Sequence, residues 1–181
     1  MGALSMRRIG FIFLLIAGAV GSVCSATAKD WERNRYSDLR FAIEFPSTPT
    51  PSNMDLAAKA WVLGRQYVVE DEGGTKAYLG QGMRYVHEYR AKYPTDRLLR
   101  VAIDGAKDAA NCTIRSERPY AFPGAAAREL IFEKCKNVPV LKGRFILLGD
   151  WLYFIAVGGP PGTEEHANTK RFLDSFSVIG N

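Results

Sequence analysis

Few side chains in this 181-residue sequence have the types and spacing that nucleophilic catalysis requires. Asp174 and Ser175 lie side by side near the C-terminus, flanked by Phe172 and Phe176 at helical spacing. Neighbouring residues of a helix point in different directions, and a nucleophilic serine needs a base within hydrogen-bonding reach. The sequence has two histidines, and the nearer one, His166, lies more than two helical turns earlier. We therefore interpret Asp174 and Ser175 as structural, and the sequence predicts no catalytic residues.

Cys112 and Cys135 could also carry chemistry. In an oxidising compartment two such thiols usually form a disulfide, and a predicted turn lies midway between them. Side-chain alternation along a strand argues against this bridge unless the strand bulges or ends before Cys135. Lys134 and Lys136 would favour a reactive thiolate at Cys135, which is the alternative. We predict the disulfide.

Metal and phosphate sites have little support in the sequence. No H-E-x-x-H or C-x-x-C spacing occurs, and the adjacent side chains of Glu164, Glu165 and His166 would diverge on a helix. Residues 158–162 are rich in glycine and precede a predicted helix, but they lack the lysine and the spacing of a phosphate-binding loop. We predict no metal and no cofactor.

One aromatic row could bind a ligand. Tyr85, His87 and Tyr89 alternate along a predicted strand and would share one face of it. Such a row is more often half-buried core, although small-molecule pockets are usually apolar with a few polar groups. These three residues are the candidates for a binding site.

The first 28 residues have the layout of a secretory signal peptide. Arg7 and Arg8 precede an uncharged, mostly apolar run over residues 9–23, and Ala26-Thr27-Ala28 fits a cleavage site. The run is shorter than the about 20 apolar residues that span a membrane. Lipidation of Cys24 is an alternative, but the residues before it fit a lipoprotein signal poorly. The sequence predicts an exported protein, periplasmic or secreted, with no stable membrane span after cleavage.

Residues 29–181 would then form a single domain. Lysine and arginine outnumber aspartate and glutamate by 24 to 19, and two of the arginines fall in the predicted signal peptide. The remaining basic residues are spread along the chain without a dense patch, whereas a nucleic-acid-binding protein would concentrate them on one face. We therefore expect no nucleic-acid partner.

The periodicity of this domain predicts an α+β fold, in which an antiparallel sheet built from hairpins packs against two main helices. Alternation over residues 41–45 predicts a strand, and three hairpins are predicted around residues 71–75, 122–124 and 149–150. Apolar residues recur at helical spacing over 94–111, with Thr95 or Asp96 as the cap, and over 163–176. The third hairpin has mostly apolar arms, which predicts the centre of the sheet.

Several stretches resemble the PsbP-like (Mog/PsbP/DcrB-type) family of exported bacterial proteins, which have an α/β/α sandwich fold. They are Trp31, Tyr36, "FAIEFP" at 41–46, "TIRSERPYAFPGAAAREL" at 113–130 and "RFLDSF" at 171–176. The resemblance covers most of residues 31–179 and rests on structural motifs. It implies accessory or binding roles, such as that of an extrinsic subunit of photosystem II, and no catalytic residues. The Pro-rich segment "PSTPTPS" at 46–52 and the cysteine pair do not match the family pattern.

Three functions remain open from the sequence. The first is a non-catalytic exported binding or accessory domain that acts through a protein partner. The second is a small-ligand carrier that uses the aromatic row of Tyr85, His87 and Tyr89. The third is a thiol-based enzyme at Cys135.

Overall fold

The structure is a computed structural model that describes residues 31–54, 60–71 and 73–180. The predicted signal peptide lies outside these residues. The strands are β1 (Glu32–Tyr36), β2 (Phe41–Phe45), β3 (Thr50–Asn53), β4 (Trp61–Glu70), β5 (Ala77–Tyr85), β6 (Thr113–Pro119), β7 (Ala126–Glu133), β8 (Val140–Leu148), β9 (Trp151–Gly159) and β10 (Ser177–Val178). The helices are α1 (His87–Lys92), α2 (Thr95–Ala110) and α3 (Ala167–Ser175), and a 3-10 turn, Thr163–Glu165, precedes α3. No helix in the described ranges is long and apolar enough to cross a membrane.

The main sheet is antiparallel and has seven strands in the order β3-β4-β5-β9-β8-β7-β6. The three predicted hairpins are β4–β5, β6–β7 and β8–β9, and β9 is the middle strand of the sheet. The predicted α+β class is therefore confirmed, as is the central place of the third hairpin. Helix α2 covers one face of the sheet through Leu98, Leu99 and Ile103, which are buried.

The other face is covered by α3 and by a small second sheet of order β1-β2-β10. The strand predicted over residues 41–45 is present as β2, but it packs on the main sheet and does not join it. Gly80 and Gly82 of β5 make this close approach possible. A Cβ atom at Gly80 would lie 3.2 Å from Cζ of Phe45, and one at Gly82 would lie 3.2 Å from Cε1 of Phe41.

The helix starts differ from the prediction. Helix α2 already includes Thr95, so neither Thr95 nor Asp96 is its N-cap, and Pro94 occupies that position without a side-chain hydrogen bond. The C-terminal helical segment is divided into the 3-10 turn and α3, because His166 has an extended backbone conformation between them. Nδ1 of His166 accepts a hydrogen bond from the backbone N–H of Asn168, and this contact caps α3.

The structure contains the disulfide between Cys112 and Cys135. Strand β7 ends at Glu133, and Lys134 adopts a left-handed backbone conformation with φ of 55°. The backbone N–H of Lys136 then donates to the carbonyl oxygen of Ala110, at the end of α2. The strand thus ends before Cys135, as the bridge requires, and the sulfur of Cys135 is not a free thiol.

Candidate functional site

Four aromatic rings stack one after another at one end of the main sheet, and we call Trp61, Tyr85, Tyr89 and Tyr93 the aromatic ladder. The ring centroids of Trp61 and Tyr85 are 4.0 Å apart, with planes inclined by only 21°. Tyr89 follows Tyr85 at 5.9 Å in a nearly parallel orientation, and Tyr93 follows Tyr89 at 5.0 Å in a tilted one. Aromatic pairs at such separations stabilise each other beyond their simple burial.

The local structure explains how the ladder forms. Trp61 and Tyr85 are directly opposite each other on the neighbouring strands β4 and β5. Cross-strand partners of this kind face the same side of a sheet. Helix α1 begins two residues after β5 ends, and Tyr85, Tyr89 and Tyr93 are spaced by four residues. Tyr89 lies within α1, while Tyr85 is the last residue of β5 and Tyr93 is the C-cap of α1, so the short helix places the last two rings beside Tyr85.

The placement of His87 was predicted wrongly. The alternation of Tyr85, His87 and Tyr89 predicted one strand face, but β5 ends at Tyr85 and His87 begins α1. The His87 side chain is 78% exposed, and its Nδ1 lies 3.2 Å from Oδ2 of Asp150. Sequence reasoning also missed Tyr93, whose four-residue spacing from Tyr89 was the signal for a helix.

Hydrogen bonds from Arg90 fix the position of α1. Nε of Arg90 donates to the carbonyl oxygen of Gly149 at 2.9 Å, and its Nη2 donates to Oγ1 of Thr95 at 2.8 Å. These bonds connect α1 to the β8–β9 turn and to the start of α2. The positions of Tyr89 and Tyr93 are therefore set by several elements of the fold.

One ring of the ladder, Tyr85, is buried, and the other three are half-exposed. Tyr85 is buried, and burial together with the neighbouring Tyr89 raises the pKa of its phenol well above the ordinary value, so the ring stays neutral. Trp61, Tyr89 and Tyr93 are half-buried. The guanidinium of Arg97 lies 4.8 Å from the centre of the Tyr93 ring, and the ammonium of Lys92 lies 5.8 Å from it. The ring of Tyr93 is therefore flanked by positive charge.

A β-bulge places an apolar side chain beside the ladder. The register of β4 against β5 shifts between Trp61 and Leu63, which leaves Val62 as the extra residue. Among the residues that the structure describes, Val62 is the one large hydrophobic residue that is exposed, at 60%. Bulges frequently re-aim a side chain next to a functional site. Val62 is therefore an exposed apolar residue that directly follows Trp61 in the chain.

Comparison with known proteins bears on the fold. No family model and no curated protein matches the sequence. The solution structure of cyanobacterial PsbP (CyanoP) from Synechocystis sp. PCC 6803 is similar with a TM-score of 0.58, at 10% sequence identity, over 90% of this chain and 100% of that chain. The chain has a PsbP-like fold. The fold that the sequence resemblance implied is thus confirmed.

Two further solved structures are similar at lower scores. The protein PA94 from Pseudomonas aeruginosa has a TM-score of 0.45 at 12% identity, over 76% of this chain and 88% of that chain. The Ran-binding protein Mog1p of Saccharomyces cerevisiae has a TM-score of 0.46 at 10% identity, over 83% of this chain and 96% of that chain. At these identities the likeness concerns the fold and transfers no site residue.

In this PsbP-like domain Asp174 and Ser175 have structural partners. Oδ1 of Asp174 accepts a hydrogen bond from Nη2 of the buried Arg144 at 2.8 Å. Oγ of Ser175 donates to the carbonyl oxygen of Phe172 and accepts from the backbone N–H of Glu44 on β2. These contacts connect the end of α3 to the main sheet and to the small sheet, which agrees with the structural interpretation of this pair.

The PsbP-like domain also has a shallow cleft beside α2, with a volume of about 110 Å³. It is lined by Asp96, Leu99, Arg100, Ile103, Glu117 and Arg128. Arg100 donates two hydrogen bonds to the Glu117 carboxylate, so an ion pair occupies its rim. Small-molecule pockets typically measure about 300–1,000 Å³, and this cleft is smaller. Within the described ranges, no three histidine, cysteine, aspartate or glutamate side chains are grouped as metal ligands would be.

Proposed function

We propose that this protein is an exported, non-catalytic binding domain that docks on a protein partner through the aromatic ladder and Val62. The observation that carries the proposal is the bulge at Val62, which exposes an apolar side chain directly beside Trp61. Tryptophan, tyrosine and arginine are enriched among the residues that dominate binding energy at protein interfaces. The half-exposed rings of the ladder, with Arg97 against Tyr93, have this composition.

The charges around the ladder define the chemistry of the partner. Lys92 and Arg97 both lie against the ring of Tyr93, at one end of the ladder. A partner that places apolar side chains over Val62 and acidic side chains beside these cations would be complementary. The PsbP-like fold supports a binding or accessory role through analogy alone. The carrier hypothesis has less support because His87 lies on α1 and does not share a strand face with Tyr85 and Tyr89. The thiol-enzyme hypothesis has less support because Cys135 is in a disulfide.

A photo-cross-linking amino acid at position 62 should capture this partner in cells. The expected result is one discrete covalent adduct, because Val62 would lie inside the interface. The same probe at Ser116, an exposed residue of the opposite edge strand β6, is the matched control and should give none. An equal pattern of adducts at the two positions, or none at position 62, would contradict the proposal.

Export is the second part of the proposal, and the layout of residues 1–28 supports it. The intact mass of the protein recovered from cells should correspond to a chain that begins at Lys29. A lipid-modified chain that begins at Cys24 would instead make the protein a membrane-anchored lipoprotein.

A further inference from the structure

Gln81 is an unusual residue in the core of the PsbP-like domain. It lies on β5 and is completely buried. Its Nε2 is 2.9 Å from Sδ of Met54 and 3.4 Å from Sδ of Met83. Its Oε1 is buried and has no hydrogen-bond partner among the described residues. A buried amide oxygen without a partner is costly, and thioether sulfur is a weak acceptor for the amide N–H, so packing alone does not account for this arrangement.

The two methionines are distant in sequence but converge on the same side chain. The sequence has four methionines, and Met1 and Met6 belong to the predicted signal peptide. Met54, directly after β3, and Met83, on β5, are thus the two methionines of the predicted mature chain. The fold brings both sulfur atoms to the amide of Gln81.

The amide of Gln81 can present oxygen to both sulfurs. The oxygen and nitrogen of a glutamine side chain have nearly the same shape, and a half-turn of its terminal torsion exchanges them. In that orientation Oε1 takes the position close to both thioether sulfurs that Nε2 otherwise occupies. These three donors are neutral, and the arrangement places them in the apolar core that contains Met83 and Leu79.

We propose that Met54, Gln81 and Met83 form a binding site for a soft monovalent metal ion, with Cu(I) as the biological example. Thioether ligands favour Cu(I), whereas calcium and magnesium require oxygen ligands, largely carboxylates. A neutral donor set in an apolar environment compensates a single positive charge more readily than a double one. The two cysteines do not compete for the ion, because their sulfurs are bonded to each other.

The surface beside the site offers a polar route to it. Gln66 of β4 is directly opposite Gln81 in the sheet, and its Nε2 donates to Oγ of Ser52 at 2.9 Å. Met54 is half-buried, while Met83 is buried. An ion would therefore reach Met54 from the side of Ser52 and Gln66 before it reached Met83.

Ag(I), a redox-inert substitute for Cu(I), tests the site in the mature protein. With ¹³C-labelled methionine methyl groups, residues 29–181 should give two methyl signals, one from Met54 and one from Met83. Titration with silver nitrate in chloride-free buffer should shift both signals and should be complete at one equivalent per chain. Titration with calcium should leave both in place. Silver binding that leaves the two signals unmoved would overturn the proposal.

Conservative variants identify the ligands. Met54→Leu and Met83→Leu conserve volume, so the fold should be retained, which the far-UV circular dichroism spectrum checks. Each variant should abolish the stoichiometric silver-dependent shift of the methionine that remains. Gln81→Leu should weaken binding while both signals still respond at higher silver concentration. An unchanged titration in either methionine variant would show that the two sulfurs do not share an ion.

Discussion

Arg144→Ala should lower the free energy of unfolding by about 3–5 kcal/mol, because it leaves a buried carboxylate without its main partner. Nε of Arg144 donates to Oε2 of Glu129 at 2.8 Å, and both side chains are more than 90% buried. The same guanidinium donates to Asp174 and to the carbonyl oxygen of Leu173, and it lies 4.0 Å from the centre of the Tyr120 ring. One residue thereby connects β7, β8 and α3. Urea denaturation measures the loss.

Arg118→Ala is the matched control for this prediction. Arg118 also donates to the Glu129 carboxylate, but its side chain is 72% exposed. Arg144 still neutralises Glu129 in this variant, and the solvent-exposed Arg118 should contribute only about 0–1 kcal/mol, so the loss should be small. Equal losses for Arg118→Ala and Arg144→Ala would show that burial of the pair does not determine its contribution.

The cost of Arg144→Ala should also depend on pH. Burial alone raises the pKa of Glu129, but hydrogen bonds from Arg144 and Arg118 outweigh it and hold the pKa below the ordinary value. In the wild type this carboxylate therefore stabilises the fold above its ordinary pKa, and the stabilisation is lost as the pH falls. Without Arg144, protonation relieves the buried charge, so the variant should lose less stability at pH about 4 than at pH 7. An equal loss at both pH values would contradict this explanation.

Phe172→Ala should also cost about 3–5 kcal/mol, the range for a large-to-small change in a packed core. The Phe172 side chain is fully buried between α3 and the main sheet. Its ring centroid lies 5.3 Å from those of Phe45 and Tyr78. The substitution leaves a cavity between these rings, and urea denaturation should show a lower midpoint with an unchanged slope.

Lys170→Ala on the same helix is the control for Phe172→Ala. Lys170 pairs with Asp174 one turn away, and its side chain is 81% exposed. An exposed pair at this spacing contributes about 0.3–0.5 kcal/mol, so the variant should change little. A loss at Lys170 comparable with that at Phe172 would show that α3 is held mainly by surface charge and not by its buried face.

The parts of the fold that the sequence predicted are those with local signals. Turn residues between apolar runs indicated the three hairpins, and helical spacing indicated α2 and α3. The position of β2 depends on the glycines of a different strand, Gly80 and Gly82, which admit the rings of Phe41 and Phe45. No local pattern in residues 41–45 indicates whether this strand joins the main sheet or packs on it.

The candidate site was predicted only in part for a similar reason. Tyr85 and Tyr89 fit both a strand, with His87 between them, and a helix, with Tyr93 beyond them. Arg90 of this helix donates hydrogen bonds to Gly149 and to Thr95. Gly149 is 59 residues away in the sequence, so a local pattern does not reveal this contact. Trp61 enters the ladder through cross-strand pairing with Tyr85, and the bulge at Val62 depends on the register of that pairing. The sequence alone does not fix this register.

The most direct test of the proposed interface compares two aromatic residues whose rings each lie at the same distance from an arginine guanidinium. Arg97 lies 4.8 Å from the Tyr93 ring in the aromatic ladder, and Arg171 lies 4.8 Å from the Trp31 ring, on the opposite face of the main sheet. Both aromatic side chains are half-buried. They differ in whether they belong to the proposed interface.

The measurement is the dissociation constant for the partner captured at position 62, determined for Tyr93→Ala and Trp31→Ala. Truncation of a dominant interface residue costs at least about 2 kcal/mol of binding free energy, which corresponds to about a 30-fold weaker complex. Tyr93→Ala should show such a loss, and Trp31→Ala should leave the dissociation constant unchanged. Unchanged binding by Tyr93→Ala, or an equal loss in the two variants, would contradict the claim that the aromatic ladder is the binding surface.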